Sequence, residues 1–235
     1  MYSELKLDLI VETLERLRNR IAERFPGSGL SNVAEELHRT AIDTDPILEQ
    51  IRRPNLALRV GIGIAVLLIL VPVIALLLLL PEDLGVVGVG GWLQAIESAT
   101  QDVIFVGVAI YFLVTLEARM KRHIALRALH RLRTIVHIVD MHQLTKDPEH
   151  LLTPGRTTAS SPERALSRFE LSRYLDYCSE MMSLTSKLAA LHVQYANDPV
   201  VLDAVNDIEV LASNLSNKMW QKIVILDTAV AAEPS

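Results

Sequence analysis

The chain has 235 residues, half of them hydrophobic, and its 28 acidic residues against 23 Lys and Arg give a net charge of −5. Its single cysteine, Cys178, excludes an intrachain disulfide and is typical of a protein from a reducing compartment. The hydrophobic residues are concentrated between Leu56 and Leu116, which predicts a membrane-embedded region flanked on both sides by charged helical sequence.

The N-terminal part, residues 1–55, predicts three short helices. In the first, hydrophobic residues alternate spacings of three and four, as in a helix that buries one face: Leu7, Ile10, Leu14, Leu17 and Ile21. This stretch is charged and has no apolar core segment, so we expect no removable signal peptide. The tripeptide 25–27, Phe-Pro-Gly, ends this helix, and Ser31 is a candidate N-cap for a second helix to about Ile42. Pro46 is a candidate first residue of a third helix, which runs into the membrane near Arg53 and Pro54.

The segment 56–80 is the first predicted membrane span. It contains one charged residue, Arg59, and as a helix it extends about 37 Å, which exceeds a hydrocarbon core of about 30 Å. Pro72 removes one backbone hydrogen bond in mid-span and predicts a bend. Gly61 and Ala65 have the spacing of small residues at close helix contacts, although two incidental small residues explain the pattern equally well.

The second predicted span is 93–116, and 81–91 is the loop between the spans. Residues 103–116 are uniformly apolar but too few to cross a membrane, so the span must begin near Leu93 and include polar residues. The loop contains no Lys or Arg, whereas six such residues follow the second span: Arg119, Lys121, Arg122, Arg127, Arg131 and Arg133. Since cytoplasmic flanks are enriched in Lys and Arg, we expect a multi-pass protein of the cell (inner) membrane with both termini in the cytoplasm.

Three further helical segments are predicted after the second span. Residues 117–144 contain no Gly or Pro and predict a continuous rod with a repeating apolar seam: Ala125, Leu129, Leu132, Val136 and Val139. We expect this seam to face other copies of the chain. Ser161 and Pro162 predict the start of a helix that reaches about Tyr195. The last helix, 201–226, has one apolar side: Leu202, Val205, Ile208, Leu215, Met219, Ile223 and Leu226.

These elements predict an all-α membrane protein, in which a two-span transmembrane helical hairpin is joined to a cytoplasmic helical bundle. The predicted parts are the N-terminal helices (1–55), the hairpin (56–116), and a long helix followed by a helical hairpin (117–235). The amphipathic helices can bury their apolar faces only against one another or against another copy, which favours a bundle and a homo-oligomer.

The polar start of the second span is the first candidate site. Gln94, Glu97 and Gln101 share one helical face, which Asp102 borders and apolar residues continue. Around an oligomer axis this face would form an acidic vestibule above an apolar constriction, so the pore-lining candidates are Gln94, Glu97, Gln101, Asp102, Phe105, Val108 and Phe112. The alternative is that the helix begins among the lipid headgroups and that its polar residues are simply hydrated.

Three histidines on the rod are the second candidate site. His123, His130 and His137 are seven residues apart, so they lie nearly in line on one face, where they are candidates for pH sensing. A solvated polar face is the interpretation we favour, because the sequence shows no partner groups. Asp140 and His142 lie near His137, but their spacing is poor for zinc, and we expect no metal and no cofactor.

The basic residues after the second span are the third candidate site. Arg119, Lys121, Arg122 and Arg127 are candidates for binding anionic lipid headgroups, in addition to fixing the topology. We expect no nucleic-acid binding, since no aromatic residues alternate with the arginines as in single-strand binding sites.

These features favour an oligomeric membrane channel or pore that is controlled by its cytoplasmic helices. The alternative is a non-conducting membrane scaffold or signalling adaptor that binds a soluble cytoplasmic partner through the bundle. The expected partners are therefore membrane lipids, other copies of the chain and, in the alternative, that soluble protein. The sequence has no phosphate-binding loop, zinc-protease motif or nucleophile elbow, so we expect no enzymatic activity.

Overall fold

Six α-helices occupy most of residues 4–79, 89–148 and 166–231, which are the residues that the computed structural model describes, and no strand occurs among them. The helices are α1 (Leu7–Arg24), α2 (Gly29–Arg52), α3 (Leu56–Leu79), α4 (Val89–Leu144), α5 (Arg168–Tyr195) and α6 (Pro199–Ala231). The all-helical prediction is confirmed. The chain forms two compact units, one from Arg53–Lys121 and the other from the sequence on either side of it.

The larger unit is a bundle of α1, α2, the C-terminal half of α4, α5 and α6 around one hydrophobic core. Side-chain contacts fix the directions of the helices. Arg20 of α1 pairs with Glu180, 2.5 Å away, and Leu5 contacts Gln194, so α1 runs antiparallel to α5. The hydroxyls of Ser179 and Ser216 are 2.5 Å apart in the antiparallel α5–α6 hairpin.

Helix α1 follows its sequence pattern closely. Ile10, Leu14, Leu17 and Ile21 are buried in the core. The helix ends at Arg24, and Gly27 has φ +68°, a left-handed conformation that glycine adopts without the strain of a side chain.

Helix α2 replaces the two short helices that were predicted around Pro46. The helix begins at Gly29, with the Ser28 hydroxyl accepting a hydrogen bond from the Ser31 N–H, and it continues through the proline to Arg52. An interior proline costs about 3 kcal/mol of helix stability. Leu48 and Ile51 lie beyond it and are buried, and burial of two such side chains contributes about 3–6 kcal/mol. Tertiary packing therefore outweighs the local effect of the proline.

Helix α4 is continuous from Val89 to Leu144, which confirms that no break separates the second apolar segment from the rod. It begins earlier than the predicted Leu93, so the end of the predicted 81–91 loop is helical, while residues 80–88 lie outside the described residues. The rod seam is buried in this chain's own core: Ala125, Leu129, Leu132, Val136 and Val139. The expectation that this seam faces other copies is therefore wrong.

The last two helices form a long hairpin. Ser167, not Ser161, is the N-cap of α5: its hydroxyl accepts from the Glu170 N–H, and the Glu170 carboxylate accepts from the Ser167 N–H. Ser161 and Pro162 lie outside the described residues. In α6 the predicted apolar side is buried except at Leu202, which is 43% exposed, so that one assignment is wrong.

The smaller unit contains α3 and the N-terminal half of α4. These are the two helices in the described part of the chain that are long and apolar enough to cross a membrane, and no residue of their most apolar windows is buried. Ile62, Val66 and Ile69 of α3 are half-buried, as are Val106, Ile110 and Leu113 of α4. Contacts of Glu117 in α4 with Arg59 and Asn55 join the two helices at the start of α3.

Candidate functional site

The candidate pore face of α4 is free in the single chain. Gln94, Glu97, Gln101 and Asp102 are exposed, and Phe105, Val108 and Phe112 are 70%, 60% and 54% exposed. This face lies about a third of a turn around α4 from the half-buried Val106, Ile110 and Leu113. The residues that the sequence grouped therefore share one surface, which Asp102 borders on the side toward Val106 and Leu113, and α3 does not cover it.

A positive charge lies at the C-terminal end of the same face. Arg119 is two turns beyond Phe112, and its guanidinium carbon is 4.3 Å from the centroid of the Phe112 ring. A guanidinium in this position has a favourable cation–π interaction with the ring. The face is therefore acidic at its beginning, apolar in its middle and cationic at its end, a polarity that the sequence analysis did not identify.

Glu117 joins the two apolar helices, and the sequence analysis missed this role. Its carboxylate accepts hydrogen bonds from the Arg59 side chain at 2.7 Å and from the Asn55 backbone N–H at 3.2 Å, and it pairs with Lys121 at 3.1 Å. The Asn55 side chain in turn accepts from the Leu58 N–H and caps α3. A carboxylate with three donors fixes the start of α3 against α4. The lone Arg59 in an apolar segment was the one available signal.

Most of the predicted lipid-binding cations already have partners in the chain. Arg119 stacks on Phe112, Lys121 pairs with Glu117, and Arg122 binds Asp198 at 2.7 Å. Arg127 differs, because it is exposed and has no ion-pair partner in the described residues. The four residues thus do not form one uncommitted basic surface.

Asp198 is a structural carboxylate at the turn between α5 and α6. One oxygen accepts from the N–H groups of Val200 and Val201 and caps α6, and the other binds Arg122. Burial raises the pKa of Asp198, but the hydrogen bonds from Arg122 and from these backbone groups outweigh it, so the net pKa is lowered. The pair fastens α4 to the α5–α6 turn.

The three rod histidines are exposed on the outside of the bundle. His123, His130 and His137 therefore form a solvated face of the single chain, as in the interpretation that the sequence favoured. Among the described residues no group of three His, Cys, Asp or Glu side chains is arranged to hold a metal ion.

Two titratable side chains in the bundle core were not identified from the sequence. His192 is fully buried, its Nδ1 lies 3.0 Å from the Leu188 carbonyl, and its Nε2 has no hydrogen-bond partner in the described chain. Burial lowers the pKa of His192 and raises the pKa of Cys178 to about 12. Cys178 interacts electrostatically with Lys222 and Tyr174, but burial dominates the pKa of its thiol.

Lys222 of α6 binds the end of α4. Its ammonium donates to the Gln143 carbonyl, the Gln143 side-chain oxygen and the Lys146 carbonyl, at 2.9–3.2 Å. Gln143 is almost fully buried, so this contact satisfies polar groups that solvent does not reach. The C-terminal half of α4 is thus held at both of its ends, through Asp198 at the start of α6 and through Lys222 near its end.

Comparison of the chain with protein-family models, with curated proteins and with solved structures gave no match.

Proposed function

We propose that the chain crosses a membrane twice, through α3 and the first half of α4, and assembles into a channel or pore controlled by the helical bundle. The observation that carries this proposal is the polar-to-apolar face of α4. It is left uncovered by α3, and the helix that bears it continues without a break into the bundle. Two helices rarely enclose a water path, so conduction requires several copies around an axis.

Exposure of the two apolar helices supports membrane insertion. Apolar side chains point outward around both helices, for example Leu67, Leu68, Val103 and Phe105, each at least 60% exposed. A water-soluble protein rarely exposes a contiguous apolar surface of this extent, whereas lipid covers it readily. The distribution of Lys and Arg supports a cytoplasmic position for both termini.

Cysteine labelling tests this topology. The native Cys178 is buried and should give little background, so single cysteines are introduced at Asp83 and, in a second variant, at Ser160. An impermeant thiol reagent applied to intact cells should label the first variant and not the second. Labelling of both variants, or of the Ser160 variant alone, would contradict the proposed topology.

Cation flux through liposomes tests conduction. Asp102→Asn removes one negative charge per copy from the mouth of the proposed pore while keeping the side-chain shape. We expect the potassium flux to fall about tenfold, because charged mouths concentrate counter-ions by factors of about ten or more. Asp203→Asn is the matched control, since Asp203 is an exposed carboxylate on α6 in the bundle. Absence of flux from native protein of confirmed assembly, across a range of pH and voltage, would refute the channel.

A membrane-anchored adaptor is the second candidate function. It is favoured by the exposed outer face of α4 in the bundle, where Arg127 and Arg131 have no ion-pair partner in the described chain and alternate with the three histidines. Such a face suits an acidic segment of a soluble protein. Native protein that conducts nothing but binds an acidic partner through Arg127 and Arg131 would establish this function instead.

A further inference from the structure

A groove between α5 and α6 exposes a large aromatic residue on the outside of the bundle. Trp220 is 55% exposed, and it lines two adjacent cavities in this groove, with volumes of about 300 Å³ and 460 Å³. Phe169, 60% exposed, lines the larger cavity. Exposed tryptophan in a concave surface is typical of protein contacts, where it contributes a large share of the binding energy.

The two ends of the groove carry the same charge pattern. At one end Arg168 of α5 and Asp227 of α6 both line the larger cavity, and at the other end Lys187 of α5 and Glu209 of α6 both line the smaller one. The ends are about 28 Å apart along α5. Arg173 and Asp176 of α5 also line the larger cavity and pair with each other at 3.1 Å, so they add no net charge. The α5 side is therefore net basic and the α6 side acidic at both ends, with Trp220 between them.

These four charges have no ion-pair partner among the residues that the structure describes. Lys187 donates to Ser183 within its own helix, and no described carboxylate lies within ion-pair distance of Lys187 or Arg168. Glu209 and Asp227 likewise have no cationic partner in the described chain. The groove thus has both signs of charge available for an external contact.

We propose that this groove, defined by Arg168, Lys187, Glu209, Trp220 and Asp227, is the surface on which two copies of the chain associate. A two-fold axis parallel to the groove places the α5 side of one copy opposite the α6 side of the other at the same level. Arg168 then faces Asp227 of the second copy, and Lys187 faces its Glu209. Trp220 of each copy meets the cavity wall of the other, so the surface is self-complementary.

The charge pattern selects this arrangement over the antiparallel one. Rotation about an axis across the groove would place Arg168 opposite Lys187 and Asp227 opposite Glu209, which sets like charges against each other. The favoured arrangement keeps equivalent helices of the two copies parallel.

The size of the groove indicates an interface that works together with membrane confinement. A surface about 28 Å long and two helices wide covers about 550 Å² per copy, so the total of about 1,100 Å² is at the lower limit for a specific contact. Confinement in one membrane raises the effective concentration of the copies and compensates for a small area. This proposed contact between copies depends on one part of the proposed function, that several copies lie in the same membrane. It does not depend on conduction.

A charge exchange in trans tests the contact. Arg168→Glu alone sets a carboxylate against Asp227 in both halves of the dimer, and Asp227→Arg alone sets two guanidinium groups against each other. We expect each variant to raise the dissociation constant of full-length protein in lipid vesicles about tenfold, as measured by energy transfer between labelled copies. An equimolar mixture of the two variants restores one native-like contact and one charge-reversed contact in the heterodimer, both of them attractive. Its dissociation constant should therefore return to within about twofold of the native value.

Trp220→Ala tests the centre of the groove. We expect the dissociation constant to rise at least about tenfold, whereas Leu9→Ala, at an exposed hydrophobic residue of α1, should leave it unchanged. Native protein that is monomeric, variants that associate as the native chain does, or a mixture without recovery would each overturn the proposal. Cation flux is measured separately. If Trp220→Ala protein associates as the native chain does and still conducts cations, this interface is rejected and the channel is retained.

Discussion

Substitution of Leu129 distinguishes a seam between copies from a seam inside one chain. Leu129 lies on the C-terminal half of α4 and is 2% exposed, in a core that α1, α2, α5 and α6 complete. Leu129→Ala leaves a cavity there and should lower the free energy of unfolding of the bundle by about 2–5 kcal/mol. For a domain of this size the melting temperature should fall by about 5–15 °C.

The buried thiol of Cys178 supplies a probe of bundle unfolding. Cys178 is the only cysteine, it is fully buried, and burial raises its pKa to about 12, so it should react with a thiol-specific dye only after the bundle opens. A thermal ramp with such a dye reports the midpoint for the native chain and for Leu129→Ala. Met141→Ala is the control on the same helix, because Met141 is 64% exposed and should leave the midpoint within about 1 °C of the native value.

The mass of the assembly gives the decisive comparison. If Leu129 packs within its own chain, the Leu129→Ala protein keeps its native mass below its lowered midpoint. If the seam joins copies, the mass falls while the midpoint of each copy is retained. A smaller assembly with an unchanged midpoint would refute the reasoning.

Three further expectations concern single side chains. Burial lowers the pKa of His192 below its ordinary value of 6.5, so its contribution to stability is complete above about pH 6.5 and is lost as the pH falls toward the folded-state pKa. The unfolding midpoint measured with the thiol dye should therefore drop between pH 7.5 and 5.5, and the drop should be smaller in His192→Leu. Lys222→Met leaves the buried acceptors of Gln143 unpaired, which should lower the free energy of unfolding by about 1–3 kcal/mol and speed amide hydrogen exchange at the end of α4. Unchanged exchange there would contradict the role of this contact. Arg119→Gln removes the positive charge at the C-terminal end of the proposed pore face, so potassium flux through liposomes should rise several-fold. An unchanged flux would place Arg119 away from the ion path.

Local sequence patterns predicted most of the helices, because they reflect interactions between near neighbours. The three–four spacing of Leu14, Leu17 and Ile21 specifies a helix with one apolar face, and Gly27 supplies the left-handed residue that follows it. The absence of Gly and Pro after the second apolar segment predicted the unbroken α4. The two helices able to cross a membrane were also evident, since length and composition alone define them.

The same patterns misled where a distant contact outweighed a local preference. Pro46 is a helix-start signal by itself, yet burial of Leu48 and Ile51 carries α2 through it. Ser161 was the predicted N-cap of the helix that reaches Tyr195, whereas the reciprocal bonds between Ser167 and Glu170 begin that helix at Arg168.

What the sequence by itself determined is the helical class, most of the helices with their apolar faces, and the polar start of α4, because periodicity and charge are properties of consecutive residues. What only the tertiary structure decided is the partner of each face. An apolar seam such as that of Leu129 is equally satisfied by its own chain or by another, and only the packing of the other bundle helices shows that it is internal. Glu117 binds Arg59, Asp198 binds Arg122 and Lys222 binds Gln143 across 58–79 residues of the chain, a separation that no local pattern records.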